Sequence, residues 1–318
     1  MKALESRKPL SVKQRNNNGR IYLKENIQMA IMCLPAIVLV YLFAYRPMPG
    51  MLIAFKDFNP NKGIEGSEWC GLENFEFFFT SQDAGHVIVN TVLYSLAFLV
   101  LNVVTCVGLA ILFYHLRSNK AVKVYNTICI TPKFMSTVII AFIAYSILSP
   151  TYGFFNTIAK TFGMDPISFY TEPKYWPFIL CYTYVWKGVG MGSVLYYASL
   201  MSMDQGLLEA AEIDGANIWH RIWHVMIPHL IPIIVIQTIL AIGGLFSGDF
   251  GLFYQVPKNQ GLLYETTDII NTYTFRAMFD GAMDKSAAIN LFQNVVGMIL
   301  VLATNGIVKK ISPEHRMF

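Results

Sequence analysis

Charge is what this 318-residue chain has least of. Asp, Glu, Lys and Arg make up 14% of it, where a soluble globular protein carries about 25%. The shortage is uneven, because long apolar stretches hold almost no charge while 54% of all residues are hydrophobic. A soluble enzyme, a disordered tail and a disulfide-stapled secreted module are therefore excluded. Cysteine is equally sparse: Cys33, Cys70, Cys106, Cys129 and Cys181 are scattered, odd in number and without a CxxC pair. Such a set offers neither a disulfide framework nor a zinc site and reads as small apolar side chains filling helix contacts. No G-x-x-x-x-G-K-[ST] phosphate loop occurs, so this chain is not expected to bind and hydrolyse ATP. The net charge of +4 is too small to suggest a nucleic-acid partner.

What is present is a series of segments long enough to cross a bilayer, which takes about 20 apolar residues as a helix. Residues 27–45, 87–114, 225–248 and 287–308 carry no Asp, Glu, Lys or Arg, residues 124–152 hold only Lys133, and residues 176–203 hold only Lys187. The expected fold is an all-α integral membrane protein with six transmembrane helices. The third span is interrupted by Pro132 and Pro150, which blurs its ends. Six spans place both termini on one side. That side collects fourteen Lys or Arg, seven of them in residues 1–26, against eight in the opposite loops. The positive-inside rule then puts both termini in the cytoplasm of a multi-pass cell-membrane protein. No A-x-A-like site follows the first apolar run, so the first helix is read as uncleaved. The organisation is a basic cytoplasmic segment 1–26, a membrane domain 27–308 in contact with lipid, and a cytoplasmic tail 309–318. Residues 46–86 set Trp69, Phe75, Phe77, Phe78 and Phe79 among Glu65, Glu68, Glu73 and Glu76, which suits the lipid–water boundary or a docking surface.

The connector between the fourth and fifth spans, residues 204–227, does not read as a loop. Asp204 can cap a helix N-terminus, and Leu207, Leu208, Ala211 and Glu212 follow at helical spacing. Asp214-Gly215 breaks that helix, since glycine accepts positive φ and Asp can cap the next helical segment. Ile218, Trp219, Ile222 and Trp223 make a second apolar stripe, and Pro228 falls where the fifth membrane helix is expected to begin. The picture is a short helix held at the cytoplasmic face, with a small-residue surface that a soluble partner can approach closely.

Glu209-Ala210-Ala211-x-x-Asp214-Gly215-Ala216, followed after eleven residues by Pro228, resembles the Glu-Ala-Ala motif of binding-protein-dependent ABC importer permeases. Gly71-Leu72-x-Asn74-Phe75, Asn90-Thr91 and Trp186, 23 residues before Glu209, resemble sugar permeases of the maltose type. Pro132, Ser149-Pro150, Gly153 and Asn156, with Thr266-Thr267-Asp268 and Tyr273, resemble the subgroup that imports complex oligosaccharides. Asp204-Gln205 and Leu208 depart from the maltose-type pattern, which has proline and tyrosine there. The resemblance implies a transport subunit that is not itself an enzyme. It implies a second homologous permease, two copies of an ATP-binding subunit, an extracytoplasmic solute-binding protein and an oligosaccharide substrate. In that family the Glu-Ala-Ala helix enters a cleft of the ATP-binding subunit. Glu209, Ala210, Ala211, Asp214, Gly215 and Ala216 would then form the coupling site.

Two patterns could mislead. Gly188-Val189-Gly190-Met191-Gly192 looks like a dinucleotide loop but lies inside an apolar span with no strand before it. Gly188 and Gly192 are better read as close helix packing. His220 and His224 have zinc-helix spacing, but Arg221 stands where a metalloprotease needs glutamate. Neither a metal nor a cofactor is expected.

Ionisable groups within a membrane span are costly and mark functional candidates. Lys187, beside Trp186, and Asp249, after Gly248 at the end of the fifth span, are expected either to face a water-filled cavity, where they pair or bind sugar hydroxyls, or to lie near the outer interface with Lys187 snorkelling. Sugars need hydrogen bonds to hydroxyls and aromatic faces, and similar maltose-type permeases draw their sugar site from these two regions. Tyr184, Trp186, Lys187, Gly188, Ser247 and Asp249 are the expected substrate-pathway residues. The competing classes are a permease for a non-sugar solute, a proton-coupled secondary transporter and a membrane-embedded enzyme. The last lacks any convergent set of reactive groups.

Overall fold

The computed structural model describes residues 12–81 and 83–311, and the chain divides into two compact units, Met1–Leu52 and Ile53–Phe318. Lys2, Arg7, Lys8 and Arg316, which count toward the expected orientation, lie outside the described residues, as does most of the tail after 309. The first unit is built on α1 (Val12–Val40), which contains Pro35. A wide helical turn, Tyr41–Tyr45, comes directly after it. The apolar stretch Asn26–Phe55 is long enough to cross a bilayer.

In the second unit a small antiparallel hairpin, β1 (Lys56–Asp57) and β2 (Glu68–Trp69), pairs Lys56 with Trp69. It leads into α2 (Glu73–Thr80). Asn74 is buried and donates to the carbonyls of Ala54 (3.1 Å) and Lys56 (3.0 Å), tying α2 to the hairpin. The aromatic run then divides by helical phase. Phe75 packs on Phe55 and Phe78 is buried beside Tyr273, while Trp69, Phe77 and Phe79 stay exposed.

Among the described residues five helices are long and apolar enough to span a membrane, and a bent pair makes a sixth span if it counts as one. In the second unit the unbroken ones are α3 (Ala84–His115), α7 (Trp176–Ser202), α9 (Ile218–Gly243) and α11 (Met283–Ile311). The bent pair is α4 (Asn119–Phe134) and α5 (Thr137–Leu148), meeting at 101°. The third expected span is thus not one helix. At a rise of 1.5 Å per residue α4 and α5 measure about 24 and about 18 Å, each short of the roughly 30 Å hydrocarbon layer. The break falls at Met135-Ser136. Pro132 has already removed one backbone donor, and the Ser136 hydroxyl accepts from Ile139 N at 3.3 Å, capping a new helix. Beyond α5, Asn156 on α6 (Phe154–Thr161) closes the turn by bonding Ser149 O and both backbone groups of Ile167.

The fifth span also differs from expectation, starting at Ile218 and not near Pro228. Asn217, not Asp214, caps it by accepting from His220 N at 2.9 Å. A wide turn at Ile222–Met226, closed by Ile227 N donating to Ile222 O, comes just before Pro228, which has no backbone donor to give.

Helices α3 and α7 run side by side and carry two separate cores. One, near their Ala84 and Trp176 ends, gathers Tyr94, Phe98, Trp176, Leu180, Leu252 and Ile269. The other gathers Cys106, Ile111, Tyr196, Leu200, Met226 and Leu230. Close approach is set by glycine. A Cβ on Gly190 would run into the backbone of Cys129 and Ile130 in α4, and one on Gly192 would strike Cys106 Sγ in α3. The tight contacts therefore fall on Gly190 and Gly192. Gly188 has no such neighbour, its nearest atom being Asn102 Nδ2 at 4.0 Å, and it opens onto the space between the two cores.

Candidate functional site

Between those cores, at the middle of α3 and α7, lie two adjoining cavities of about 340 and 640 Å³ that share Asn102, Tyr184, Tyr196, Gln237 and Asp249. The fold explains the position. Asn102 sits between Phe98 and Cys106 on α3, and Lys187 between Leu180 and Tyr196 on α7, so the polar residues fall where neither apolar cluster reaches. Asp249 arrives from the far end of the fifth span. Its carboxylate caps α10 (Phe250–Gln255), accepting from Leu252 N at 3.0 Å, and also lies 3.6 Å from Lys187 Nζ. Lys187 Nζ donates to Thr137 Oγ1 at 3.0 Å. The bend between α4 and α5 supplies that hydroxyl, and it also brings Lys133, on the last turn of α4, into the lining of the smaller cavity. Broken backbone at membrane depth persists where protein buries it or where it borders water, and this break borders the cavity.

Of the residues expected from sequence, Tyr184, Lys187, Gly188 and Asp249 line this space. Tyr184 gives one ring face to Phe98, stacked at 3.9 Å and 5°, and also lines both cavities. Trp186 packs against the first core cluster, and Ser247 is exposed outside the lining of either cavity. Sequence reading passed over Asn102, Gln237 and Lys133. The first two are lone amides in the middle of charge-free runs, a signal as real as a lone lysine and quieter.

A second set of residues braces one end of the bundle. Asn90 Nδ2 donates to the carbonyls of Glu265 (3.0 Å) and Asp268 (3.1 Å), Tyr94 Oη donates to Thr266 O (2.7 Å), and Ile270 N donates to Thr91 Oγ1 (2.9 Å). The buried Asp268 carboxylate accepts from Thr272 Oγ1 and pairs with Arg276, whose guanidinium lies over the Tyr264 ring. The Asn90-Thr91 and Thr266–Asp268 signatures, far apart in sequence, are thus one hydrogen-bonded knot.

At the other end, α8 (Gln205–Ile213) stands out from the bundle. Asp204 caps it by accepting from Gly206 N at 2.9 Å, and Gly215, at φ +82°, ends it with Ala216 N bonded to Ala211 O at 2.9 Å. Two struts hold it: Tyr114 Oη donates to Gln205 Oε1 at 2.9 Å from the end of α3, and Arg221 Nη1 donates to Glu212 Oε2 at 2.8 Å from the start of α9. Glu209, Ala210, Asp214 and Gly215 are exposed, Ala211 and Ala216 half-buried, and Ile213 is 87% exposed. The end of α8 thus presents an exposed apolar side chain, two residues before a glycine with no atom within 4 Å of its would-be Cβ.

Residues 106–314 match the family described as binding-protein-dependent transport system inner membrane component, and the chain belongs to it: it is a multi-pass inner-membrane permease subunit of an ABC importer. Among its relatives is the polygalacturonan/rhamnogalacturonan transport system permease protein YteP of Bacillus subtilis (strain 168), 30% identical over 99% of both chains. Two solved structures share its fold at 30% identity. One is a bacterial ABC transporter involved in the import of the acidic polysaccharide alginate, with TM-score 0.82 over 92% of this chain and 99% of that one. The other is the bacterial alginate ABC transporter in complex with alginate pentasaccharide-bound periplasmic protein, with TM-score 0.81 over 91% and 96%.

Proposed function

We propose that this chain forms half of the pathway by which an ATP-driven importer takes up an oligosaccharide, drawn from acidic glycans of the kind named for its relatives. A second, homologous permease would supply the other half. Of two copies of an ATP-binding subunit, one would grip Glu209, Ala210, Ala211, Asp214, Gly215 and Ala216 in its cleft, and an extracytoplasmic solute-binding protein would deliver the sugar. Residues 1–26 and 309–318 lie in the cytoplasm in this reading, with the 204–227 connector on the same side. The knot around Asp268 then faces outward.

The observation that carries the reading is the cavity at the middle of α3 and α7, where the Lys187–Asp249 pair stands beside the amides of Asn102 and Gln237, which bond to no described residue. Amides and hydroxyls satisfy sugar hydroxyls, and a cavity flanked by helices that can shift as rigid bodies can open to alternate sides. Closure of the ATP-binding subunits would move α8, and its struts to α3 and α9 would carry that movement into the cavity walls. The test is copurification of this chain with an ATPase, then glycan binding to the cognate solute-binding protein and ATP-dependent uptake with and without this chain. Uptake that persists without the ATPase, or without this chain, would overturn the reading.

A further inference from the structure

We infer that Lys133 is the residue that reads negative charge on the passing solute, its ammonium meeting a sugar carboxylate in the cavity. The inference rests on the reading of this cavity as an oligosaccharide pathway. Among the described residues three charged side chains line the two cavities: Lys133, Lys187 and Asp249. Lys187 is already engaged by Asp249 and by Thr137. Lys133 has neither a hydrogen bond nor an ion pair with any described residue, and the lining is left with one uncompensated positive charge.

Its depth makes that charge consequential. Lys133 is the penultimate residue of α4, a helix too short to cross the hydrocarbon layer, and it stands four residues before Thr137 across the break. The last-turn carbonyl of Pro132 is taken by Met135 N, so that carbonyl is already satisfied without the lysine. An ammonium held at that level is costly unless water or an anion reaches it. A neutral sugar gains little from it. A carboxylate gains a charge-assisted hydrogen bond, roughly twice as strong as a neutral one, while the free amides of Asn102 and Gln237 remain for hydroxyls. Among the described residues Asp249 is the sole acid in the lining, and with Lys187 beside it, it does not repel an anionic solute as a bare carboxylate would.

The test uses the whole importer in proteoliposomes with its solute-binding protein and, as probe, a galacturonic-acid tetrasaccharide. Uptake by K133Q is expected to fall about tenfold or more, with K133R close to wild type, both compared at equal amounts of assembled complex. K133C, modified after assembly, separates charge from folding. An aminoethyl methanethiosulfonate reagent, which restores a positive charge, is expected to restore uptake. The sulfonatoethyl reagent, which installs a negative one, is expected to lower it further, with the wild-type chain treated in parallel as the control for its own cysteines. Normal uptake by K133Q, or equal recovery with both reagents, overturns the role of Lys133 alone. A wild-type importer that accumulates none of the probe overturns the acidic-glycan reading and this inference with it.

Discussion

Lys187 Nζ stands 3.6 Å from Asp249 Oδ2, joining the middle of α7 to the residue that caps α10. The two side chains are 16% and 32% exposed, so the pair is neither a screened surface bridge nor a dry one. Its worth falls between those limits, on the order of 1–2 kcal/mol. Removing one partner does more harm than the pair is worth, because the other charge is left facing the cavity alone. Lys187→Met and Asp249→Asn are each expected to lower ATP-dependent uptake severalfold. The reversed pair, Lys187→Asp with Asp249→Lys, is expected to recover part of that loss relative to either single reversal. The comparison is made in proteoliposomes at equal amounts of assembled complex, and a reversed pair no better than the singles would mean that the two charges act separately.

The glycines of α7 differ sharply although they are two residues apart. Gly190→Ala sets a methyl against the α4 backbone at Cys129, where nothing flexible can yield, and overpacking of that kind costs about 1–3 kcal/mol. Gly188→Ala meets only the end of Asn102 at 4.0 Å and is expected to leave the melting temperature of the detergent-purified complex nearly unchanged. Gly190→Ala is expected to lower it by several degrees. Equal melting of the two variants would show that α4 and α7 are not in contact at Gly190.

The contrast between these glycines also shows what the sequence could and could not say. A gap of four residues suggested Gly188 and Gly192; Gly192 does pack tightly, on Cys106 of α3, but which helix face meets a neighbour depends on partners that spacing does not encode, and the other tight contact went to Gly190 in place of Gly188. Apolar runs located the unbroken spans because hydrophobic length is a local property. The bend at Met135-Ser136 was not legible, since Pro132 marks a weak point and only tertiary contacts decide whether the helix kinks or restarts. The short helix before Gly215 was readable from its cap and breaker, while the Asn217 cap was hidden behind the equally plausible Asp214. In the cavity, Lys187 and Asp249 announced themselves as charges in apolar runs. Asn102 and Gln237 did not, because a single amide barely disturbs such a run. The knot around Asp268 joins residues some 175 positions apart, and no local pattern reports such a junction.

Cys70 offers a test of orientation through its chemistry. Burial pushes its thiol above the ordinary range and the nearby Glu73 carboxylate adds to that rise, although the hydrogen bond from Asn74 works the other way. A raised thiol pKa means less thiolate at neutral pH, hence slow alkylation that accelerates as pH climbs. A membrane-impermeant maleimide applied to intact spheroplasts is expected to label Cys70 slowly at pH 7 and faster at pH 9. Glu73→Gln should raise the rate at pH 7. Labelling that requires the membrane to be permeabilised would place the hairpin on the inner side and reverse the proposed topology.

Gly215 carries the most direct test of how the motor is joined to the pathway. Its φ of +82° costs an L-residue about 1–2 kcal/mol, yet a Cβ there would touch nothing within this chain. Gly215→Ala is therefore a backbone change alone, expected to lower the stability of the helix end modestly and to leave uptake measurable. Gly215→Asp adds bulk and charge on the exposed face beside Glu209 and Asp214, where the ATP-binding subunit is proposed to sit. That variant is expected to reach the membrane in normal amount and to keep basal ATP hydrolysis in the assembled importer. Solute accumulated per ATP hydrolysed is expected to fall at least tenfold. Asp accepts positive φ more readily than Ala, so an Asp variant that couples worse than the Ala variant does not owe its defect to backbone strain and reports the partner surface. If both import at the wild-type ratio, the motor grips this permease somewhere other than the end of α8.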